Sequence, residues 1–449
     1  MERNDKTRIR YNFKKNIKIT NAYKEKKELK IIGITGSSGK TTTAYILHKY
    51  LKNKGYKSIL YCSASIDSPL TNFKKNEPCE VPVRNEETLT RIIKEAELYN
   101  ADYLILEINE SVLEKDFLKN LKFKIKVLTN LNPKHNLEQY SEKEYIELKK
   151  SFFKNVNEDC KCVIGIQDYD KELLEEILGL NNCAKYLFTT EYIANVKDVA
   201  LKRIATLLYN LRSSLEGLEL FILSNGKNYN FKTNLIMKHN SLNLICVITI
   251  LEALEIFDEK EFQKTILNIE IPGRVETYKH NKRLFIIDLH LCKTLEYLYE
   301  LKQEGKINNI RVVVGSIGSG FKNWDKKFLS EKFLSTHVKN KKFAMDVLSK
   351  YADFVYLTEC DNASETVKEI CLELVDYLDG NIEYAIIENR ETAIKKAYLE
   401  SEENDVIFIS GRGNRKIMCN SATTTKLIKD SDIVRNLISL EKGKSDNEE

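Results

Sequence analysis

Apolar and polar positions alternate along this chain in blocks that predict strands and helices in turn. In the first third, apolar runs predict strands at 29–35, 58–62, 103–108 and 125–129. After the first of these runs, apolar residues from Ala44 to Leu51 recur at helical spacing. Strands that alternate with helices predict a doubly wound α/β domain with a mainly parallel sheet.

The alternation is interrupted at Ile271-Pro272-Gly273-Arg274 and then starts again. A buried helix is predicted before the break, at 242–254. After the break, apolar runs predict strands at 284–288, 311–315, 354–358, 382–387 and 406–410, with a helix at 364–378. This pattern predicts a second open α/β domain. The predicted organisation is a short basic extension at 1–28, a central domain at 29–271, a C-terminal domain at 272–440 and an acidic tail at 441–449.

Composition excludes several classes of protein. The 71 basic and 66 acidic residues leave a net charge of +5, which does not predict a nucleic-acid partner. No apolar run approaches the roughly 18–20 residues that span a bilayer. The basic N-terminus lacks the apolar segment of a signal peptide, which predicts a cytoplasmic location without a membrane partner. Of ten cysteines, only Cys160 and Cys162 lie close in sequence, so reduced buried thiols are expected rather than a zinc site.

The run TGSSGKTTT, from Thr35 to Thr43, joins the first predicted strand to the first helix. Its glycines allow the backbone to bend so that N–H groups converge on an anion at the helix N-terminus. A lysine can then reach the terminal phosphates of a nucleotide, and the next hydroxyl can hold Mg²⁺. The spacing differs from the usual phosphate loop, because Ile34 stands where the first glycine is expected. The predicted nucleotide-binding residues in the loop are Gly36, Ser37, Ser38, Gly39, Lys40, Thr41 and Thr42.

This loop resembles the TGTNGKTTT loop of Mur ligases, and further segments of that family follow in the same order. The matching segments are Glu107 at the end of a strand, Thr129-Asn130-Leu131 with His135, Lys149 after an aromatic residue, His239-Asn240-Ser241-Leu242-Asn243, Pro272-Gly273-Arg274-Val275-Glu276, Asp288, Asp361-Asn362 and Gly411-Arg412-Gly413. The resemblance covers about residues 29–440 and is closest to the tripeptide-synthetase branch. It implies a central phosphate-loop ATPase domain followed by a Rossmann-like ligase domain.

The resemblance also implies a reaction and its cofactors, ATP and Mg²⁺. A carboxylate attacks the γ-phosphate to give an acyl phosphate, and an amine displaces phosphate to form an amide. The residues implied as catalytic are Lys40, Glu107, His135 and Lys149. The residues implied as metal ligands are Thr41, Glu107, His135 and Lys149, the last as a carbamate. Further nucleotide contacts are implied for Asn240, Asn243, Arg274 and Asp288, and substrate contacts for Asp361, Asn362, Arg412 and Arg415.

Departures from the family pattern concern the substrates. About 28 residues precede the first strand, where tripeptide synthetases carry a uridine-nucleotide domain. Phe117 stands where an arginine is expected, and Glu80-Val81-Pro82 where a threonine pair is expected. Arg415 replaces a carboxylate that would pair with a second ammonium group. These changes predict small-molecule substrates, namely a non-standard carboxylate and an amino acid, and not the uridine-diphospho-muramoyl dipeptide.

Three other interpretations stay open from the sequence. The chain could be a true tripeptide synthetase, an ATP-binding pseudoenzyme that acts through a partner protein, or an unrelated phosphate-loop ATPase. The features that favour an active enzyme are the intact Lys40, Thr41, Glu107, His135 and Lys149. Lys134, beside the expected metal site, and the altered third-domain loops favour a pseudoenzyme.

Overall fold

The computed structural model describes residues 28–68, 83, 85–115, 117–132, 140–166, 171–190, 204–318, 331–362, 365–415, 417–419 and 425–445. A first sheet is formed by β1 (Lys30–Thr35), β2 (Ser58–Tyr61), β3 (Ile66–Asp67), β4 (Tyr103–Glu107), β5 (Ile125–Leu128), β6 (Lys161–Gly165), β7 (Ala184–Thr190), β8 (Ile204–Ser214), β9 (Gly217–Ser224) and β10 (Lys227–Thr233). Its helices are α1 (Lys40–Asn53), α2 (Glu86–Leu98), α3 (Glu110–Leu113), α4 (Glu142–Lys154), α5 (Lys171–Gly179), α6 (His239–Ala253) and α7 (Glu259–Leu267).

Strand β1 lies in the middle of this sheet, between β4 and β5. The strand order is β10-β9-β8-β7-β6-β5-β1-β4-β2-β3, and β1 runs parallel to both neighbours. The register pairs Ile34 with Glu107 and Thr35 with Leu128. Because parallel strands end at the same edge, the residues that follow β1, β4 and β5 meet there. That edge carries the phosphate loop.

The predicted strands of the first third are present, each within a residue of its expected bounds. Strands β8, β9 and β10, which form an antiparallel meander at one side of the sheet, were not predicted. The turn between β9 and β10 contains Asn225 and Gly226, both with positive φ (46° and 73°). An Asn-Gly pair is a strong hairpin signal, so this turn could be predicted from the sequence although β10 has few apolar residues.

Helix α6 is the predicted buried helix, and it packs on the sheet beside α1. Twelve of its fifteen residues are buried, including the polar Asn240 and Asn243 at its first turn. Its apolar residues share one core with α1 and the central strands, whose members include Ile34, Leu47 and Val247. This packing fixes the start of α6 against the start of α1, beside the phosphate loop.

A second, six-stranded sheet follows the break at Pro272. Its strands are β11 (Glu276–His280), β12 (Arg283–Asp288), β13 (Ile310–Val314), β14 (Phe354–Leu357), β15 (Glu383–Ile386) and β16 (Val406–Ser410), in the order β11-β12-β16-β13-β14-β15. Only the edge strand β11, which was not predicted, is antiparallel. The remaining elements are the ribbon β17 (Ile417–Cys419) and β18 (Thr425–Leu427), and the helices α8 (Leu291–Gln303), α9 (Glu331–Tyr351), α10 (Val367–Val375), α11 (Arg390–Leu399) and α12 (Asp430–Ser445).

The α/β fold class with a mainly parallel central sheet and a second α/β unit is confirmed. The change of sheet falls between β10 and β11, around the predicted boundary at 271, and the domain bounds stay a prediction. Helix α12 continues to Ser445, past the predicted start of the tail at 441. Within the described residues, no helix combines the length and the apolar character that crossing a membrane requires.

Candidate active site

The phosphate loop bends through two glycines with positive φ, Gly36 at 144° and Gly39 at 79°. Gly39 immediately precedes α1, and a Cβ atom there would lie 2.1 Å from Asn243 Oδ1 on α6. A side chain at this position would therefore meet both an unfavourable backbone conformation and a buried neighbour. The Asn243 amide donates to Asn240 Oδ1 at 3.1 Å, which fixes its orientation. The first turn of α6 thus supports the loop from behind.

The loop is held from the other side by the two residues that follow β5. Asn130 accepts from the Ser37 N–H at its carbonyl (3.1 Å) and from the Ser38 N–H at Oδ1 (3.0 Å). Thr129 Oγ1 donates to the Ser38 carbonyl at 2.6 Å. The N–H groups of Ser37 and Ser38 are therefore engaged within the protein. The first N–H groups of a helix have no intrahelical acceptor, and those at the start of α1 are left to face an anion.

Lys40 and Thr41, the first residues of α1, stand beside the carboxylate that ends β4. Lys40 Nζ donates to the Gly36 carbonyl at 2.8 Å. Thr41 Oγ1 donates to Glu107 Oε2 at 3.0 Å, and the Ser63 N–H donates to the same oxygen at 2.8 Å. Mg²⁺ prefers oxygen ligands and is usually held by one or two carboxylates together with phosphates and water. The paired Thr41 and Glu107 oxygens fit that requirement.

No cluster of three or more His, Cys, Asp or Glu side chains placed to hold a metal occurs in the described part of the chain. His135 and Lys134, which the sequence placed near the metal, lie outside the described residues. The candidate metal ligands that the structure does bring together are therefore Thr41 and Glu107.

Lys149, on α4, is buried directly under the loop and carries only 1% side-chain exposure. Its Nζ lies 2.6 Å from Glu110 Oε1 and donates to Thr35 Oγ1 at 3.0 Å. Burial, together with the nearby charge of Lys40, lowers the pKa of Lys149 to about 7, although Glu110 opposes that shift. Burial would raise the pKa of Glu110, but the charges of Lys40 and Lys149 outweigh it and lower the value to about 2.

A cleft of about 410 Å³ opens between the phosphate loop and the second sheet. Arg274, in the segment that joins the two sheets, reaches across it and donates from Nη2 to Ser63 Oγ at 3.3 Å. Asn414 Nδ2 also crosses it to the Ala64 carbonyl. The next residue after Arg274 is Val275, whose φ of 54° is unusual for a β-branched side chain.

Asp288, at the end of β12, lines the same cleft together with two histidines. Thr294 Oγ1 donates to Asp288 Oδ2 at 2.7 Å, whereas Asp288 Oδ1 is buried with no hydrogen-bond partner in the described structure. Burial raises the pKa of Asp288 and lowers the pKa values of His239 and His290 to about 4 each. An unpaired buried carboxylate oxygen is costly, so a hydroxyl donor from a bound ligand would stabilise it.

Two arginines from the loop after β16 converge on one carboxylate. Asp361 accepts from Arg412 Nη1 at 3.3 Å and from Arg415 Nη1 at 3.4 Å. Both arginines line the cleft, whereas Asp361 and Asn362 lie behind them. Asn362 Oδ1 is buried without a partner in the described structure. The cleft wall opposite the loop is therefore cationic.

Three contacts of this site were not predicted from the sequence as parts of it. Glu110 meets Lys149, Tyr145 OH donates to Ser37 Oγ at 2.9 Å, and Ser63 joins Glu107 to Arg274. The positions 80–82, which were compared with a threonine pair, lie outside the described residues, and Phe117 is partly buried against the core around β4.

Residues 34–251 match the family model described as the Mur ligase middle domain. Among curated proteins, the chain is similar to the UDP-N-acetylmuramoyl-L-alanyl-D-glutamate–2,6-diaminopimelate ligase of Aquifex aeolicus. The two are 25% identical over 394 residues, which is 87% of this chain and 74% of that protein.

Two solved structures illustrate the similarity of fold. One is a UDP-N-acetylmuramoyl-L-alanyl-D-glutamate–2,6-diaminopimelate ligase, with a TM-score of 0.61, 19% identity and coverage of 93% of this chain and 79% of that one. The other is the folylpolyglutamate synthase of Thermotoga maritima, with a TM-score of 0.56, 15% identity and coverage of 86% of both chains.

Proposed function

We propose that this chain is an ATP-dependent ligase of the Mur ligase family that forms amide bonds, and that it joins a non-standard carboxylate to an amino acid. The observation that carries the proposal is the cleft itself. Its one wall holds the phosphate loop with Lys40 and Glu107, and its other wall holds Arg412 and Arg415. A carboxylate bound in this cleft can thus be phosphorylated at one wall and meet the amine at the other.

In the first half-reaction, a carboxylate oxygen of the substrate attacks the γ-phosphorus of ATP, and ADP leaves. The N–H groups at the start of α1 and the ammonium group of Lys40 hold the phosphates and balance the charge that builds on them. Mg²⁺, held by Thr41 and Glu107, would neutralise part of this charge when bound. Asp288 Oδ1, which has no hydrogen-bond partner in the described structure, is suited to accept a hydrogen bond from a hydroxyl of the nucleotide sugar.

In the second half-reaction, the amine nitrogen attacks the acyl carbon, phosphate leaves and the nitrogen loses a proton. Arg412 and Arg415 line the cleft and share the one carboxylate of Asp361, which leaves an excess of positive charge on the wall where we expect this amine to bind. A guanidinium binds a carboxylate through two parallel hydrogen bonds, and it repels a second ammonium group. An α-amino acid with one amine fits such a wall better than a diamino acid does.

A second candidate is the activity of the similar diaminopimelate ligases, which add a diamino acid to a uridine-diphospho-muramoyl dipeptide. The coverage of 74% of the Aquifex aeolicus protein favours this candidate. Arg415 argues against it, because the family's carboxylate at this position would pair with the second amine.

Steady-state ADP release separates the two candidates. The full chain is assayed with Mg-ATP, a panel of carboxylic acids and a panel of amino acids, and with the muramoyl dipeptide plus lysine or diaminopimelate. The proposal predicts amine-dependent ADP release with a monoamino acid and none with the muramoyl dipeptide. Turnover with the muramoyl dipeptide at micromolar concentration would establish the second candidate instead. Lys40→Ala serves as the inactive control, and ATP binding without turnover by any pair would indicate a pseudoenzyme.

A further inference from the structure

The carboxylate of Glu110 lies beside the tip of Lys149, where a carbamate would have to form. Glu110 Oε1 is 2.6 Å from Lys149 Nζ and 3.9 Å from Lys40 Nζ. The hydroxyl oxygen of Tyr145 lies 3.4 Å from the same oxygen. One carboxylate oxygen therefore faces both amines of the phosphate-loop region.

The surroundings of Lys149 oppose a second anion. Carbamylation of an ion-paired lysine forms a bond between the lysine nitrogen and the carbon of CO₂ and releases two protons from that nitrogen, so that the side chain changes from positive to negative. Lys149 Nζ already donates to Thr35 Oγ1 and is ion-paired with Glu110. A carbamate nitrogen keeps one N–H and would lose one of these partners. Its new charge would also lie against the Glu110 carboxylate in a buried site, where like charges repel strongly.

We propose that Glu110 supplies the carboxylate of this site and that Lys149 remains an unmodified amine that holds Glu110 in place. The inference rests on the ligase function proposed above and names Glu110 as a positioning residue for that reaction. Lys149 fixes the Glu110 carboxylate beneath Lys40. The negative charge that the family resemblance assigns to a modified lysine is thus encoded in the chain, and the enzyme needs no CO₂.

The first test detects a carbamate on Lys149 directly and needs no substrate. The full chain and Lys149→Met are equilibrated with ¹³C-bicarbonate, and carbamate carbons are observed by ¹³C NMR. The two spectra are expected to agree in the carbamate region. A carbamate signal in the wild type that Lys149→Met lacks would overturn the proposal.

The second test measures what the charge of Glu110 does. Glu110→Gln keeps the shape and removes the charge, and Glu114→Gln makes the same change at an exposed position on the next turn. ADP release is expected to fall at least about tenfold in Glu110→Gln only, while Mg-ATP affinity by calorimetry stays within about threefold. A merely structural role would lower both together. Activity of Glu110→Gln equal to that of Glu114→Gln would refute the assignment.

The same assay tests independence from CO₂. The wild-type rate is expected to be equal in CO₂-depleted and bicarbonate buffers, and a rate restored only by bicarbonate would overturn the proposal. If no acid and amine support ADP release in any variant, the proposed function fails, and the NMR comparison still decides whether Lys149 is modified.

Discussion

The close approach of Gly39 to Asn243 allows a sharp test of how the phosphate loop is supported. Gly39→Ala introduces a Cβ atom 2.1 Å from Asn243 Oδ1, at a backbone φ of 79°. Gly55 provides a matched control, because its φ is 85° and an added Cβ would have no neighbour within 4 Å. The two substitutions share the cost of a left-handed backbone, and only the first adds a clash.

The expected magnitudes follow from these two contributions. The left-handed conformation costs an alanine about 1–2 kcal/mol, which is the whole effect expected for Gly55→Ala. In Gly39→Ala, Asn243 must also move and give up its 3.1 Å hydrogen bond to Asn240 Oδ1. Leaving buried polar groups unpaired adds about 1–3 kcal/mol. The free energy of unfolding should therefore fall by about 2–5 kcal/mol in Gly39→Ala.

The free energy of unfolding is measured in urea for four variants, namely Gly39→Ala, Gly55→Ala, Asn243→Ala and the double variant Gly39→Ala/Asn243→Ala. Removing the Asn243 amide removes the clash, so the two effects should be less than additive by at least about 1 kcal/mol. Equal destabilisation by Gly39→Ala and Gly55→Ala, or strict additivity with Asn243→Ala, would show that α6 does not support the loop.

Three further predictions concern charge. Lys40→Ala should weaken Mg-ATP binding at least about tenfold by calorimetry, because a charge-assisted hydrogen bond to the phosphates is lost. Lys49→Ala, on the same helix, should bind Mg-ATP like the wild type. Equal affinities of the two variants would reject the assignment of the phosphate loop. Arg415→Glu should shift ADP release towards diamino acids, and an unchanged ratio of rates with monoamino and diamino acids would argue against its contact with the amine. The folded-state pKa of Glu110 is about 2, below the ordinary value of 4.5, so the ionised carboxylate stabilises the fold above pH 4.5 and this contribution is lost as the pH falls towards 2. The free energy of unfolding of the wild type should therefore fall more between about pH 5 and pH 3 than that of Glu110→Gln.

The elements that carry the phosphate loop could be predicted because they are continuous in sequence. Strand β1 is a short, mostly apolar run, and the loop and the start of α1 follow it directly, so local pattern and chemistry agree. Strand β10, from Lys227 to Thr233, exposes alternate polar residues and has little apolar signal of its own. Its place in the sheet depends on pairing with β9, which apolar runs alone do not indicate.

The contact between Glu110 and Lys149 could not be predicted from the residues for a related reason. Each is a charged residue in a polar stretch, and either alone is typical of a solvated helix face. They meet because β4 and α4 are brought to the same edge of the sheet, and because Lys149 is turned inward under the loop with Tyr145. Burial of that lysine is a property of the packed structure.

The positive φ of Val275 has a mechanical consequence for the segment between the two sheets. A β-branched residue in the left-handed region stores about 1–3 kcal/mol of strain. The strain is balanced locally by the contact of Arg274 with Ser63 and by the hydrogen bond from the Gly273 N–H to Glu276. A rotation of the second sheet would break the contact of Arg274 with Ser63, which costs free energy. If the same rotation let Val275 adopt a negative φ, the release of backbone strain would offset part of that free energy.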